Sequence, residues 1–71
     1  MTLRYWKMEK NGELSAREVA AEVGASGHIL LRTDIVEGKT TIYFAGKADH
    51  EHAKAVQSHA TEIKLADITK S

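Results

Sequence analysis

The chain has 71 residues, a length that limits it to a single domain. Its ten basic and ten acidic residues cancel, so its net charge provides no general attraction to nucleic acid or to anionic lipid. It has no cysteine, which excludes disulfide bonds and thiolate metal sites and favours a cytoplasmic location. No apolar run approaches the roughly 20 residues that cross a bilayer, so we expect no membrane association.

The N-terminal third predicts a strand followed by a helix. Residues 2–9 are rich in aromatic and aliphatic side chains, and an Asn-Gly turn signal follows at Gly12. Ser15 can cap the amide of Glu18, and the Glu18 side chain can reach back to the Ser15 amide, which is the capping box that opens a helix. Gly24 suits the left-handed residue that ends a helix. We therefore expect one helix between Ser15 and Gly24.

The middle of the chain predicts a β-hairpin. From position 28 to 36, apolar and β-branched side chains recur at every second residue, and residues 39–45 are equally strand-like. Glu37-Gly38 separates the two runs, and a short connection that contains glycine is typical of a hairpin. We therefore expect residues 28–36 to pair with residues 39–45.

The remaining segments complete a β-α-β-β-α-β order. Residues 48–60 contain helix formers without Gly or Pro, and residues 61–69 return to strand-like alternation. This order predicts an α+β domain with one four-stranded antiparallel sheet and two helices on one face, the ferredoxin-like arrangement. In that arrangement the first and third strands are central, and the second and fourth strands lie at the edges.

A winged helix-turn-helix is the alternative fold. Residues 11–26 resemble the first half of a helix-turn-helix, with Ala20 and Gly24 spaced four apart for its tight turn and Leu30 as a buried anchor of the next helix. The resemblance implies a DNA-binding transcriptional regulator that uses residues 14–32, with the hairpin as its wing. The residues placed for DNA contact would be Arg17, Ser26, His28, Arg32 and Thr33. The same stretch also fits a plain, well-capped amphipathic helix.

The histidines and carboxylates do not form a recognisable catalytic or metal site. In Asp49-His50-Glu51-His52, residues one or two apart on a helix do not face each other. His52 and His59 lie two turns apart, roughly 10 Å along a helix axis, which is too far for one ion. The sequence has no zinc-binding spacing and no glycine-rich phosphate loop. We therefore expect a protein that is not an enzyme and that holds no cofactor or metal.

The open face of the predicted sheet is the candidate interaction site. One set of alternating side chains would meet the helices: Leu3, Ile29, Leu31, Ile35, Ile42, Phe44, Ile63 and Leu65. The opposite set would then be exposed: Arg4, Trp6, Met8, Leu30, Arg32 and Tyr43, with Lys64 and Ile68 on the last strand. Trp, Tyr and Arg dominate binding hot spots, and exposed apolar patches mark interaction sites. The sequence thus predicts a small non-catalytic binding or regulatory module that contacts a protein partner or a second copy of itself.

The side-chain directions on the first strand leave two alternatives open. Tyr5 and Trp6 are adjacent, so only one can point inward, and a shift of one residue would place Trp6 in the core. If Trp6 and Tyr43 are both exposed, they could instead stack single-stranded nucleic acid, as RNA-binding sheets do with aromatic residues. The neutral net charge does not favour nucleic acid as the partner.

Overall fold

A computed structural model describes residues 3–47 and 51–69 of the chain. In chain order its elements are β1 (Arg4–Asn11), α1 (Ala16–Ala25), β2 (Ile29–Val36), β3 (Lys39–Gly46), α2 (Glu51–Gln57), β4 (Thr61–Ile63) and α3 (Leu65–Thr69). The predicted β-α-β-β-α-β order is confirmed through β4. The prediction of a strand over residues 61–69 is wrong beyond position 63, because the chain turns there into a short third helix. The predicted helix at 48–60 has its first three positions outside the described residues.

The four strands form one antiparallel sheet in the order β2-β3-β1-β4. The predicted α+β class is therefore confirmed, with β1 and β3 central and β2 and β4 at the edges. The alternative winged-helix fold is wrong, because residues 29–36 form a strand and leave no recognition helix. Hydrogen bonding to β3 along most of its length stabilises β2 as a strand.

The hydrophobic core lies between the sheet and the helices. Its buried residues come from β1, α1 and β3 and are Trp6, Met8, Val19, Val23, Ile42 and Phe44. Trp6 is opposite Phe44 in the β1–β3 ladder, and the two rings stack with their centroids 5.7 Å apart. Val56, a residue of α2, packs against this cluster. Both α1 and α2 therefore cover the sheet face that carries Trp6.

The predicted direction of several strand side chains is wrong. Trp6 is only 3% exposed and Met8 only 7% exposed, so both belong to the core rather than to an open face. Leu30 is opposite Phe44 and packs against the core, which leaves its neighbour Ile29 on the other face and 65% exposed. The pairing of β2 with β3 shifts by one residue at Leu31, and this bulge reverses the alternation within the strand.

Helix α1 begins with the predicted N-cap. Ser15 has an extended backbone, and its Oγ accepts a hydrogen bond from the amide of Glu18 at 3.2 Å. This bond satisfies one of the amides that the first helical turn leaves without a partner. The buried face of the helix carries Val19 and Val23.

We expect Ser15→Ala to lower the free energy of unfolding by about 1 kcal/mol, because the Glu18 amide loses its acceptor. In a domain of this size, that loss corresponds to a fall in Tm of about 4–8 °C, which thermal unfolding followed by circular dichroism would resolve. Ser58→Ala is the matched control, since the Ser58 hydroxyl only donates to the carbonyl of Ala55 at an exposed site. An unchanged Tm for Ser15→Ala would contradict the capping role.

Thr40 links β3 to the turn that follows β1. Its Oγ1 accepts a hydrogen bond from the amide of Leu14 at 3.0 Å and donates to the carbonyl of Gly12 at 2.7 Å. The amide of Gly12 in turn donates to the carbonyl of Gly38 at 2.7 Å. Gly38 and its neighbour Glu37 form the two-residue β2–β3 turn, and both have a positive φ, as tight hairpins of this kind require. The predicted hairpin is therefore confirmed.

Helix α3 lies against the sheet face opposite the main core. Arg32 is opposite Tyr43 in the β2–β3 ladder, on the face turned away from Phe44, and it donates to the carbonyl of Ile68 at 3.1 Å. Ile68 is 7% exposed and does not belong to the main core cluster. The prediction that Ile68 lies exposed on a strand is therefore wrong. Among the described residues, no helix has the length and apolar character needed to cross a membrane.

Candidate functional site

The outer edge of β2 is the most exposed apolar part of the described structure. Within the described residues, β2 pairs only with β3, so its other side presents backbone groups to solvent. Six large apolar residues of the described chain are exposed, and four of them lie on this strand: Ile29, Leu31, Ile35 and Val36, at 65%, 44%, 49% and 64% exposure. An edge that is long, apolar and unpaired is a template for another strand.

Two opposite charges lie at the middle of this edge. The Nε atom of Arg32 donates to Oδ1 of Asp34 at 3.0 Å, and both side chains are about one-third exposed. The Arg32 guanidinium also lies 5.8 Å from the centroid of the Tyr43 ring, within the range of a cation–π contact. These contacts, together with the bond to Ile68, hold Arg32 in one position on the face that α3 partly covers.

The six residues predicted for partner binding do not form one surface. Arg32 and Tyr43 share the face that α3 approaches. The other four lie on the opposite side of the sheet, where Arg4 is exposed, Leu30 is half-buried and Trp6 and Met8 are in the core: Arg4, Trp6, Met8, Leu30. The predicted surface is wrong as a single patch, because the β2 bulge and the inward direction of Trp6 divide it. A binding role for Arg32 and Tyr43 stays a prediction.

Arg4 forms an exposed ion pair at the other edge of the sheet. Its Nε and a terminal nitrogen donate to the two carboxylate oxygens of Glu62 at 2.9 and 2.8 Å. Hydrogen bonding between the two groups lowers the pKa of Glu62 and raises the pKa of Arg4 from their ordinary values. The guanidinium also lies 5.0 Å from the centroid of the Trp6 ring. Arg4 therefore covers the end of the core while it links β1 to β4.

The residues predicted for DNA contact are also separated. Arg17 is exposed on α1, whereas Ser26 and His28 are buried in the connection that leads to β2. Arg32 and Thr33 lie on β2 and point to opposite faces of the sheet, because they are adjacent strand residues opposite Tyr43 and Ile42. These five residues offer no common surface to a DNA groove. Stacking of a nucleic acid base on Trp6 is likewise excluded by its burial.

His28 has a structural position within the core. Its ring makes edge contacts with Trp6 and Phe44, at centroid distances of 5.4 and 4.9 Å. Ser26 Oγ donates to the carbonyl of Val23, so it accepts a hydrogen bond from His28 Nδ1, which lies 2.9 Å away.

The amide nitrogen of Gln57 lies 2.9 Å from the other ring nitrogen of His28, Nε2, and donates to it. The His28 ring is thus held between Ser26 and Gln57. A Cβ atom at Gly46 would come within 2.8 Å of the His28 ring, which explains why glycine ends β3. His28 therefore packs against Trp6, Phe44 and Gly46 and has a structural role at this end of the sheet.

A shallow groove of about 270 Å³ lies between the two helices that cover the core. Its lining residues come from β1, α1 and α2 and the turn after it, and they are Met8, Lys10, Glu22, His52, Ala55, Val56 and His59. Lys10 and Glu22 form an ion pair on one side of the groove. Among the described residues, no three His, Cys, Asp or Glu side chains converge as metal ligands, and Asp49 and His50 lie outside that part of the chain.

Comparisons with protein-family models, with curated proteins and with solved structures found no match to this chain. The fold and its exposed edge therefore define the class of protein: a small α+β domain with one long accessible strand. The exposed apolar residues of β2 were missed by sequence reasoning, which placed Ile29, Leu31 and Ile35 in the core. The predicted strand order contained the relevant signal, because it already placed this apolar strand at an edge of the sheet.

Proposed function

We propose that this protein is a non-catalytic binding module that adds an extended segment of a protein partner to the outer edge of β2. The observation that carries the proposal is the concentration of exposed apolar side chains on a strand whose outer backbone groups face solvent. Strand addition of this kind obtains affinity from main-chain hydrogen bonds and specificity from alternate side chains.

The composition of β2 supports a binding role over a merely tolerated edge. Folded proteins usually protect edge strands with lysine, with proline, with bulges or with very short strands. Of these protections, β2 has the bulge at Leu31. The sequence of β2, ILLRTDIV, spans eight residues and has neither lysine nor proline. Burial of a large aliphatic side chain stabilises a protein by about 1.5–3 kcal/mol relative to full exposure. A partner strand would recover part of that free energy at Ile35 and Val36, and the bulge at Leu31 limits regular pairing to the part of β2 that follows it.

The charges of β2 can make the edge selective for particular partner strands. Arg32 and Asp34 are adjacent on one face of the sheet and partly exposed. Opposite charges directly across an antiparallel pair stabilise it, and like charges destabilise it. We therefore expect the partner strand to carry an acidic residue opposite Arg32 and a basic residue opposite Asp34.

A selection of extended peptides against the immobilised protein tests the proposed function. We expect selected peptides to change the backbone amide NMR signals of Ile29–Val36 more than those of the rest of the chain. Ile35→Lys should weaken their binding about tenfold or more, since it places an unpaired charge in the part of β2 that pairs with the peptide. Leu65→Lys is the matched control, because Leu65 is 50% exposed, like Ile35 at 49%, but lies on α3. Selected peptides that leave the β2 signals unchanged would refute the proposal.

A further inference from the structure

We infer that the segment that binds β2 is β2 of a second copy of this chain, paired antiparallel about Thr33. This inference rests on the proposed function and names its partner. It places the two copies around a two-fold axis that passes between the Thr33 residues. The two four-stranded sheets then form one continuous sheet of eight strands, with a β2–β2 ladder at its centre.

The charge pattern of β2 is self-complementary in this arrangement. In antiparallel pairing about Thr33, a residue that precedes Thr33 by a given number of positions lies opposite the residue of the second copy that follows Thr33 by the same number. Arg32 therefore lies opposite Asp34 of the second copy. The two-fold axis repeats this pair, and four charges then alternate in sign across the ladder. Arg32 and Asp34 lie on the same face of the sheet and already lie 3.0 Å apart within one chain. Opposite charges directly across such a ladder stabilise it.

Neighbouring registers lack this complementarity. A two-fold axis at Arg32 would set the two Arg32 side chains directly opposite each other. An axis at Asp34 would do the same with two carboxylates. Like charges in directly opposed positions destabilise an antiparallel pair. All three registers keep the helix-covered faces of the two copies on the same side of the joint sheet. Among them, the charges of β2 favour the register that is centred on Thr33.

The apolar side chains of β2 also match in this register. Ile35 lies opposite Leu31 of the second copy, and the bulge at Leu31 ends the regular pairing there. Ile35 and Leu31 are 49% and 44% exposed in the single chain, so the pairing brings together two apolar side chains of this edge. A symmetric pair of this kind is the commonest form of protein assembly.

A charge-reversal experiment on the full chain tests this pairing. Sedimentation equilibrium over about 10 µM to 1 mM protein should show the mass of the wild type rise from 7.8 kDa toward twice that value. Asp34→Arg should remain a monomer, because it sets arginine opposite arginine, and Arg32→Asp should remain a monomer, because it sets aspartate opposite aspartate. An equimolar mixture of the two variants should dimerise again, since each cross-strand pair then joins opposite charges.

The double variant Arg32→Asp with Asp34→Arg is the matched control. It restores opposite charges across the ladder and should dimerise with itself. It also keeps an ion pair within the strand, so it still tests the pairing if Arg32→Asp alone folds poorly. Circular dichroism establishes that each variant is folded before its mass is measured. The inference is overturned if the wild type stays a monomer up to about 1 mM, if Asp34→Arg dimerises like the wild type, or if neither the mixture nor the double variant dimerises.

Failure of self-pairing and failure of the proposed function give different results. If the wild type is a monomer and selected peptides still change the β2 amide signals, the edge binds a different protein and only the second copy is excluded. If selected peptides do not affect β2, both proposals fail. The peptide measurement is made on the wild type at about 10 µM, the dilute end of the sedimentation series, as well as at higher concentration, so that self-pairing cannot mask the edge.

Discussion

Trp6→Ala is expected to lower the free energy of unfolding by about 3–5 kcal/mol, the usual cost of truncating a large aromatic side chain in a core. Trp6 is 3% exposed, stacks on Phe44 at 5.7 Å and contacts the edge of His28 at 5.4 Å. The substitution removes both ring contacts and leaves a cavity at the centre of the sheet. Since small domains have only about 5–15 kcal/mol of stability, much of the variant should be unfolded near body temperature.

The adjacent aromatic residue provides the control for Trp6. Tyr5 points to the other face of the sheet and is half-buried, so Tyr5→Ala should cost clearly less. Urea unfolding followed by far-ultraviolet circular dichroism measures both variants, because Trp6 is the only tryptophan and its fluorescence is lost on substitution. An equal or larger loss at Tyr5 would show that the side-chain directions on β1 are reversed.

Thr40→Val is expected to cost about 1–3 kcal/mol although it preserves the shape of the side chain. Thr40 is fully buried, and its hydroxyl both accepts from the Leu14 amide and donates to the Gly12 carbonyl. Valine can do neither, so two backbone groups lose their partner and the turn between β1 and α1 loses its attachment to β3. Chemical denaturation should show a lower midpoint with an unchanged slope.

Thr41→Val is the matched control for this effect. Thr41 is the next residue on β3, half-buried and on the other face of the sheet, opposite Glu9 and Asp34. The same chemical change there should alter stability by no more than about 0.5 kcal/mol. Equal effects at Thr40 and Thr41 would mean that the loss of a hydroxyl, rather than the loss of the two bonds to the turn, determines the result.

The order of the elements could be predicted because short-range signals determine it. The capping box at Ser15 and the glycine in the β2–β3 turn act within three or four residues, and both are present in the structure. The change from helix to strand periodicity at residue 28 is equally local. Once the order was known, the sheet arrangement followed from the few topologies that such an order allows.

Local signals could not predict to which face of the sheet each strand side chain points. Tyr5 and Trp6 are both aromatic, and the choice between them depends on which fits between Phe44 and His28, residues far away along the chain. The bulge at Leu31 inserts one residue and reverses the alternation of side chains. Leucine is not a residue type that predicts a bulge. Two of the six predicted binding residues, Arg32 and Tyr43, consequently share the expected face.

The candidate edge illustrates the same limit. Its position at the side of the sheet was predictable from topology, but the exposure of Ile35 depends on whether a helix covers the end of β2, and Ile29 is exposed on the face opposite the main core. Hydrophobic alternation reports that one side of a strand is apolar, and it does not report whether a helix covers that side. The sequence therefore predicted the strand and missed the surface.

The two edges of the sheet differ greatly in length, and this difference bears on the size of an assembly formed through β2. β2 has eight residues, whereas β4 has three and pairs only with positions 5–7 of β1. A sheet with two long free edges can add copies at both sides and grow into a fibril. The proposed pairing through β2 would use the long edge of both copies and leave at the ends three-residue strands, the very short edges with which folded proteins limit further pairing. Under that proposal, assembly would end at a closed pair, and an apolar edge could be used for recognition without leading to aggregation.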